Sequence, residues 1–144
     1  MTVSDQQKKK LKRLISNGYR MHLGFLIEYG FYDWIEGIHE LIRRERPISF
    51  RFSYEDWYSK ALVLLENLQP SSLDEFIPLY KNDKLKTSGS PEYAIYDFLA
   101  GNEIRRSYDY TLKIAAVKRN LEYQLNMLEV IKSDLEAKLL QSKN

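Results

Sequence analysis

The sequence predicts an all-α, single-domain bundle of five or six helices, closed by a long C-terminal helix. Three observations predict it. The run from Tyr108 to Leu140 holds 33 residues without a proline or glycine. In it Ile114, Val117, Leu121, Leu125, Leu128, Ile131 or Lys132, Leu135 and Leu139 recur at spacings of three and four, the period of one helical face. At 1.5 Å per residue that helix is roughly 50 Å long, longer than a domain of this size is wide. Secondly, apolar residues elsewhere follow the same period, and the only alternating stretch, Ile48 to Phe52, has no second strand to pair with. Thirdly, Pro47, Pro70 and Pro91 stand where apolar runs stop or start, the positions at which proline ends or opens a helix.

Taken in order, Ser4 suits the N-cap of a first helix running to about Asn17, with Gly18 as its stop. Its apolar face is only Leu11, Leu14 and Ile15, which predicts a helix docked on the outside of the bundle. Tyr19 to Tyr29, punctuated by Gly18, Gly24 and Gly30, reads as a connector. Phe31, Trp34, Ile35, Ile38, Leu41 and Ile42 then form a wide apolar stripe on a second helix ending at Arg46, before Pro47. Gly37 inside that helix costs ~1 kcal/mol against alanine, which predicts a close crossing there. Arg43, Arg44 and Arg46 suit the negative end of its dipole. Ile48 to Phe52 reads as an extended connector placing Phe50 and Phe52 in the core.

Ser53, with Asp56 at the box position, caps a third helix. Its apolar set is Tyr54, Trp57, Tyr58, Ala61, Leu62, Leu65 and Leu68. A fourth, short helix opens at Ser72 with Glu75 completing a capping box, and runs through Leu79. Lys81 to Ser90 is a polar loop. Ser90-Pro91-Glu92 then starts a short fifth helix carrying Tyr93, Ile95, Phe98 and Leu99 and ending at Gly101-Asn102.

Size and composition bound the function. A chain of 144 residues is one domain and buries ~68–70% of its unfolded surface. It has no cysteine, which excludes disulfides, thiolate metal sites and a cysteine nucleophile and fits a reducing compartment. The longest wholly apolar run, Ala61 to Leu65, is far short of a membrane span. With no apolar leader at the N-terminus, a cytoplasmic protein is expected. Net charge is +2, yet residues 1–20 set Lys8, Lys9, Lys10, Lys12, Arg13 and Arg20 against Asp5 alone, a local +5, leaving −3 on the remainder. A basic arm on a mildly acidic body points to an anionic partner or to a solvated helix face.

Catalytic patterns are missing from the sequence. His22 and His39 stand in no ligand spacing, and neither a His-Glu-x-x-His motif, a calcium loop nor a Gly-x-Ser-x-Gly elbow occurs. Glu36 and His39 make a single Glu-x-x-His, whereas a di-metal bundle needs that motif on each of two helices, so the pattern of such a site is not met. No catalytic, cofactor-binding or metal residue is therefore expected, and no cofactor or small-molecule substrate. A HEPN-like helical shape fits the helix content, but the arginine that four to six intervening residues separate from the histidine in HEPN nucleases is absent. Those positions hold Asn17, Ser16 and Ile15 before His22, and Trp34, Asp33 and Tyr32 before His39.

Tyr80-Lys81-Asn82-Asp83-Lys84-x-Lys86, followed by Tyr93-x-Ile95-x-Asp97-Phe98-Leu99-x-Gly101, resembles a segment of small uncharacterised all-helical proteins of bacteria and their mobile elements. In that group a Tyr-Lys-Asn-x-Lys turn precedes a short helix with Tyr-x-Ile-x-Asp-aromatic-Leu, and a leucine-rich helix ends the chain. The group brings no established activity, so no site is carried over. The Thr87-Ser88-Gly89-Ser90-Pro91 stretch departs from its pattern.

Two functional expectations follow. In the first, the protein is a non-enzymatic interaction or regulatory accessory factor of bacterial, phage or mobile-element origin. It binds a protein partner or itself through helix faces, with Leu121, Leu125, Leu128, Leu135 and Leu139 as a self-association seam. The competing reading of that seam is the core face of a monomeric bundle. In the second, Lys8, Lys9, Lys10, Lys12 and Arg13 join Lys81, Lys84 and Lys86 in holding a nucleic acid, with Tyr80, Tyr93 or Tyr96 stacking on bases. A degenerate nuclease is the third and weakest reading.

Overall fold

A computed structural model of the chain describes residues 5–81, 94–100 and 107–142. Their order is α1 (Asp5–Glu28), a turn of 3-10 helix (Tyr32–Trp34), α2 (Ile38–Glu45), α3 (Phe50–Leu68), a second 3-10 turn (Pro70–Ser72), α4 (Leu73–Tyr80), α5 (Ile95–Leu99) and α6 (Ser107–Ser142). The fold is an all-α bundle, with six α-helices and no strand among the described residues.

The expected stop at Gly18 is not there. α1 continues unbroken through Gly18 and Gly24 to Glu28, so the expected connector from Tyr19 is helical. Both glycines serve close approach. A Cβ on Gly18 would collide with the Leu125 side chain and stand 3.1 Å from the Trp57 ring, while one on Gly24 would collide with the Ile48 carbonyl oxygen. α1 is accordingly central, not peripheral. It buries Leu11, Leu14, Ile15, Met21, Leu23 and Phe25, and it runs antiparallel to both α3 and α6. Against α3, Phe25 meets Phe50 edge-on at 5.0 Å and Trp57 Nε1 donates to the Leu14 carbonyl at 2.8 Å. Against α6, His22 meets Glu122 and Gly18 meets Leu125.

The second helix is shorter than its apolar stripe suggests. Gly37 adopts φ 68°, in the left-handed region, and α2 starts only at Ile38. No atom lies within 4 Å of a Cβ built on Gly37, so that glycine is there for its backbone freedom and marks no crossing. Of the expected stripe only Ile38 is buried, and Trp34 is 86% exposed. The stop at Arg46 is as expected: its N–H bonds to the Ile42 carbonyl at φ 51°, immediately before Pro47.

α3 begins at Phe50, so the expected extended connector is its first turn. Ser49 replaces Ser53 as the cap, its Oγ accepting from the Phe52 N–H at 3.3 Å. Two residues apart on a helix point about 200° from one another. Phe50 is therefore fully buried while Phe52 is 87% exposed. Ser72 precedes α4 but makes no capping bond, its hydroxyl donating to the Gln69 carbonyl at 2.7 Å instead. The expected start of the fifth helix at Ser90 and its stop at Gly101 lie outside the described residues.

α6 spans 36 residues. Ile114, Val117, Leu121, Leu125, Leu128 and Ile131 are buried along one face, each contributing about 1.5–3 kcal/mol of burial. Polar groups within this core are paired. Tyr54 donates its hydroxyl to Gln124 Oε1 at 2.7 Å, Gln124 Nε2 donates to the Phe76 carbonyl at 3.4 Å, and Asn120 Nδ2 donates to the Leu79 carbonyl at 3.2 Å. Three bonds thus fasten α3 and α4 to α6.

Candidate interaction surfaces

The seam leucines lie mostly inside the chain. Leu121, Leu125 and Leu128 belong to the bundle core, and Leu135 is half-buried against it. The side chain of Leu139 lies outside the described residues. A second copy cannot reach Leu121, Leu125 or Leu128 without unfolding the first, so as far as Ile131 this face of α6 is a core face.

The opposite side of α6 is a different surface. Leu112, Tyr123 and Val130 are 49%, 56% and 51% exposed. Spacings of eleven and seven residues return to within about 20° of one line along a helix, so the three form one outward row, with exposed Arg119 and Asn126 between them. Sequence reading passed over this row because the leucine seam carried the stronger periodic signal.

Lysines and arginines on α1 are likewise turned outward. Lys9, Lys10, Lys12 and Arg13 are exposed. Lys8 alone of the N-terminal group makes a described ion pair, 3.8 Å from Asp5. Further along, Arg20 bonds through Nε to the Arg46 carbonyl at 2.8 Å, and the Ile48 N–H returns a bond to the Arg20 carbonyl at 3.2 Å. Those two bonds set Arg46, the C-cap of α2, against Arg20 of α1, and Arg43 and Arg44 are exposed in the turn of α2 that leads into it. Sequence reading had assigned these arginines to the helix dipole alone.

The turn after α4 is described only at its start. Lys81 Nζ sits 4.6 Å above the Tyr96 ring, a cation–π contact. Lys84, Lys86 and Tyr93 lie outside the described residues. Tyr80 packs at 4.2 Å on Tyr58 and at 5.7 Å, edge-on, against Tyr96. Both rings are half-buried in a column continued by Phe76 and Tyr54. Burial and the neighbouring Tyr80 push the Tyr58 hydroxyl up to about 12.

His22 is tied to its neighbours on α6. His22 Nε2 lies 2.8 Å from Glu122 Oε2, which also takes the Lys118 ammonium at 2.9 Å. Partial burial opposes ionisation of Glu122, but the hydrogen bonds and charges of Lys118 and His22 outweigh it and hold the carboxyl below its usual range. His39 is exposed on α2. No group of three potential metal ligands occurs among the described residues, and no described helix is long and apolar enough to cross a membrane.

No family model, curated protein or solved structure matches this chain.

Proposed function

We propose that the chain is a non-enzymatic interaction protein, an accessory or regulatory factor of bacterial, phage or mobile-element origin. It acts in the cytoplasm and binds a protein partner or a second copy of itself through helix faces. The observation that carries this reading is the outward row of α6, where Leu112, Tyr123 and Val130 remain half-exposed while the opposite face is spent on the core. Exposed apolar side chains scattered singly are ordinary; aligned along one helix, they are the layout of a helix-pairing surface. Tyr123 in the middle of the row is the type of residue that anchors interfaces. Absence of cysteine supports the compartment, and the resemblance around Lys81 supports the origin.

The test is sedimentation velocity on the full chain across a concentration series, beside Tyr123→Glu/Val130→Glu. A mass above the monomer that falls to the monomer in the double variant, with unchanged helicity, is expected for self-pairing. For a different partner, the same variant loses proteins that co-purify with the wild type. A monomeric wild type whose co-purifying proteins survive the substitutions overturns the reading.

A further inference from the structure

We infer that α1 and the last turn of α2 form one phosphate-binding ridge for the backbone of double-stranded DNA, distinct from the α6 surface. Lys9, Arg13 and Arg20 stand at i, i+4 and i+11, one line along the exposed side of a single helix. Lys12 and Lys10 flank that line, and Ser16 and Asn17 fill its gap with hydrogen-bonding groups. From Lys9 to Arg20 the row is about 16 Å long. At Arg20 it continues onto α2, because the Arg20 guanidinium is fixed on the Arg46 carbonyl and Arg43, Arg44 and Arg46 are exposed there.

Charge of one sign is what distinguishes this surface. No Asp or Glu occurs between Asp5 and Glu28, and no described ion pair involves Lys9, Lys10, Lys12 or Arg13. On α2, Arg44 lies 3.0 Å from Glu45, and Glu40 is also exposed, so the purely cationic part of the ridge is its α1 half. Like charges held together on a folded surface repel one another, and a polyanion relieves that repulsion while releasing its own counterions.

Duplex DNA fits this chemistry better than the alternatives. A single strand needs a series of aromatic platforms for its bases, and from Lys9 to Arg20 the α1 row offers one aromatic residue, Tyr19. A membrane-surface helix needs an apolar face to insert, and the apolar face of α1 is buried in the bundle. A convex helix ridge meets the phosphate walls of the wide B-form major groove, whereas the A-form groove of RNA is deep and narrow.

The experiment is a fluorescence anisotropy titration of the full-length protein against a labelled DNA duplex between about 50 and 200 mM salt, with circular dichroism on every variant. The wild type should bind with log K falling against log salt at a slope of about −4 to −5, from roughly five phosphate contacts. Lys9→Glu/Arg13→Glu should weaken binding at least about tenfold and make the slope shallower by about 2. Arg43→Glu/Arg44→Glu, remote in sequence, should do the same. All four residues are exposed, so helicity should survive. A wild-type slope near zero overturns the inference, as does absence of binding at low salt or indifference to either double variant. Equal or tighter binding to duplex RNA overturns the choice of the B-form, and tighter binding to vesicles of anionic phospholipid reassigns the ridge to a membrane.

Discussion

Glycine does three different things along this chain, and only its surroundings tell them apart. At Gly18 an added methyl meets the end of the Leu125 side chain and the Trp57 ring; at Gly24 it meets the backbone carbonyl of Ile48. At Gly37 it meets nothing, but φ is 68°. Alanine adds ~1 kcal/mol of helix propensity inside α1, so both α1 substitutions would stabilise an isolated helix. In the bundle the sign reverses. Leu125 can shift to another rotamer, whereas a carbonyl can move only with its chain. Gly18→Ala should therefore cost about 1–3 kcal/mol by overpacking, and Gly24→Ala more, by separating α1 from the segment before α3. Gly37→Ala should cost about 1 kcal/mol through its left-handed backbone. Urea denaturation of the three variants checks the ranking. A Gly24→Ala protein as stable as the wild type would mean that α1 does not approach Ile48 as described.

Helices whose partners can be inferred from spacing alone were the legible ones. The apolar periods of α3 and α6 identify Tyr54, Trp57, Tyr58, Leu65, Leu121, Leu125 and Leu128 as core because each helix buries one uninterrupted stripe. α1 was misread because Gly18 and Gly24 look like punctuation in one dimension and become contacts only when α3 and α6 arrive. Ser53 looked like the cap of α3 because Asp56 completes its box, but burial of Phe50 starts the helix one turn earlier, at Ser49. The basic residues of α1 were likewise readable, but their meeting with the α2 arginines was not, since it runs through the carbonyl of Arg46, 26 residues from Arg20. How α4 is held to α3 is also a matter of tertiary structure: Phe76 stacks on Tyr58 at 5.8 Å and Tyr80 packs on it at 4.2 Å. Burial of Tyr58 among these rings favours its neutral hydroxyl. Its folded pKa is raised from 10.0 to about 12, so its contribution to stability is intact below the unfolded value and is lost as pH rises through that window. Thermal unfolding between pH 9 and pH 12 should show an alkaline decline that Tyr58→Phe makes shallower; identical declines would show that Tyr58 is not held neutral by α4.

For the molecule as a whole, the question is which side of its longest helix faces a neighbour. A coiled-coil seam and a bundle core share one sequence pattern, and the fold resolves it by placing α1, α4 and α5 against the leucine face of α6. That arrangement leaves the row of Leu112, Tyr123 and Val130 outside and makes the two faces separable by mutation. A glutamate at Leu128, which is wholly buried, places an unpaired carboxylate in the core, a change in the class that costs more than about 4 kcal/mol. Leu128→Glu should therefore lose helicity and unfold at lower temperature at every protein concentration. Leu135→Glu, half-buried at the margin of the core, should lose far less. Tyr123→Glu should leave the melting curve of dilute protein nearly where it is and act mainly on association, because Tyr123 is 56% exposed. Melting followed by circular dichroism at two concentrations distinguishes these cases. If Leu128→Glu keeps its helicity and melting temperature while dissociating an oligomer, the leucine face is an interface after all and the bundle closes differently.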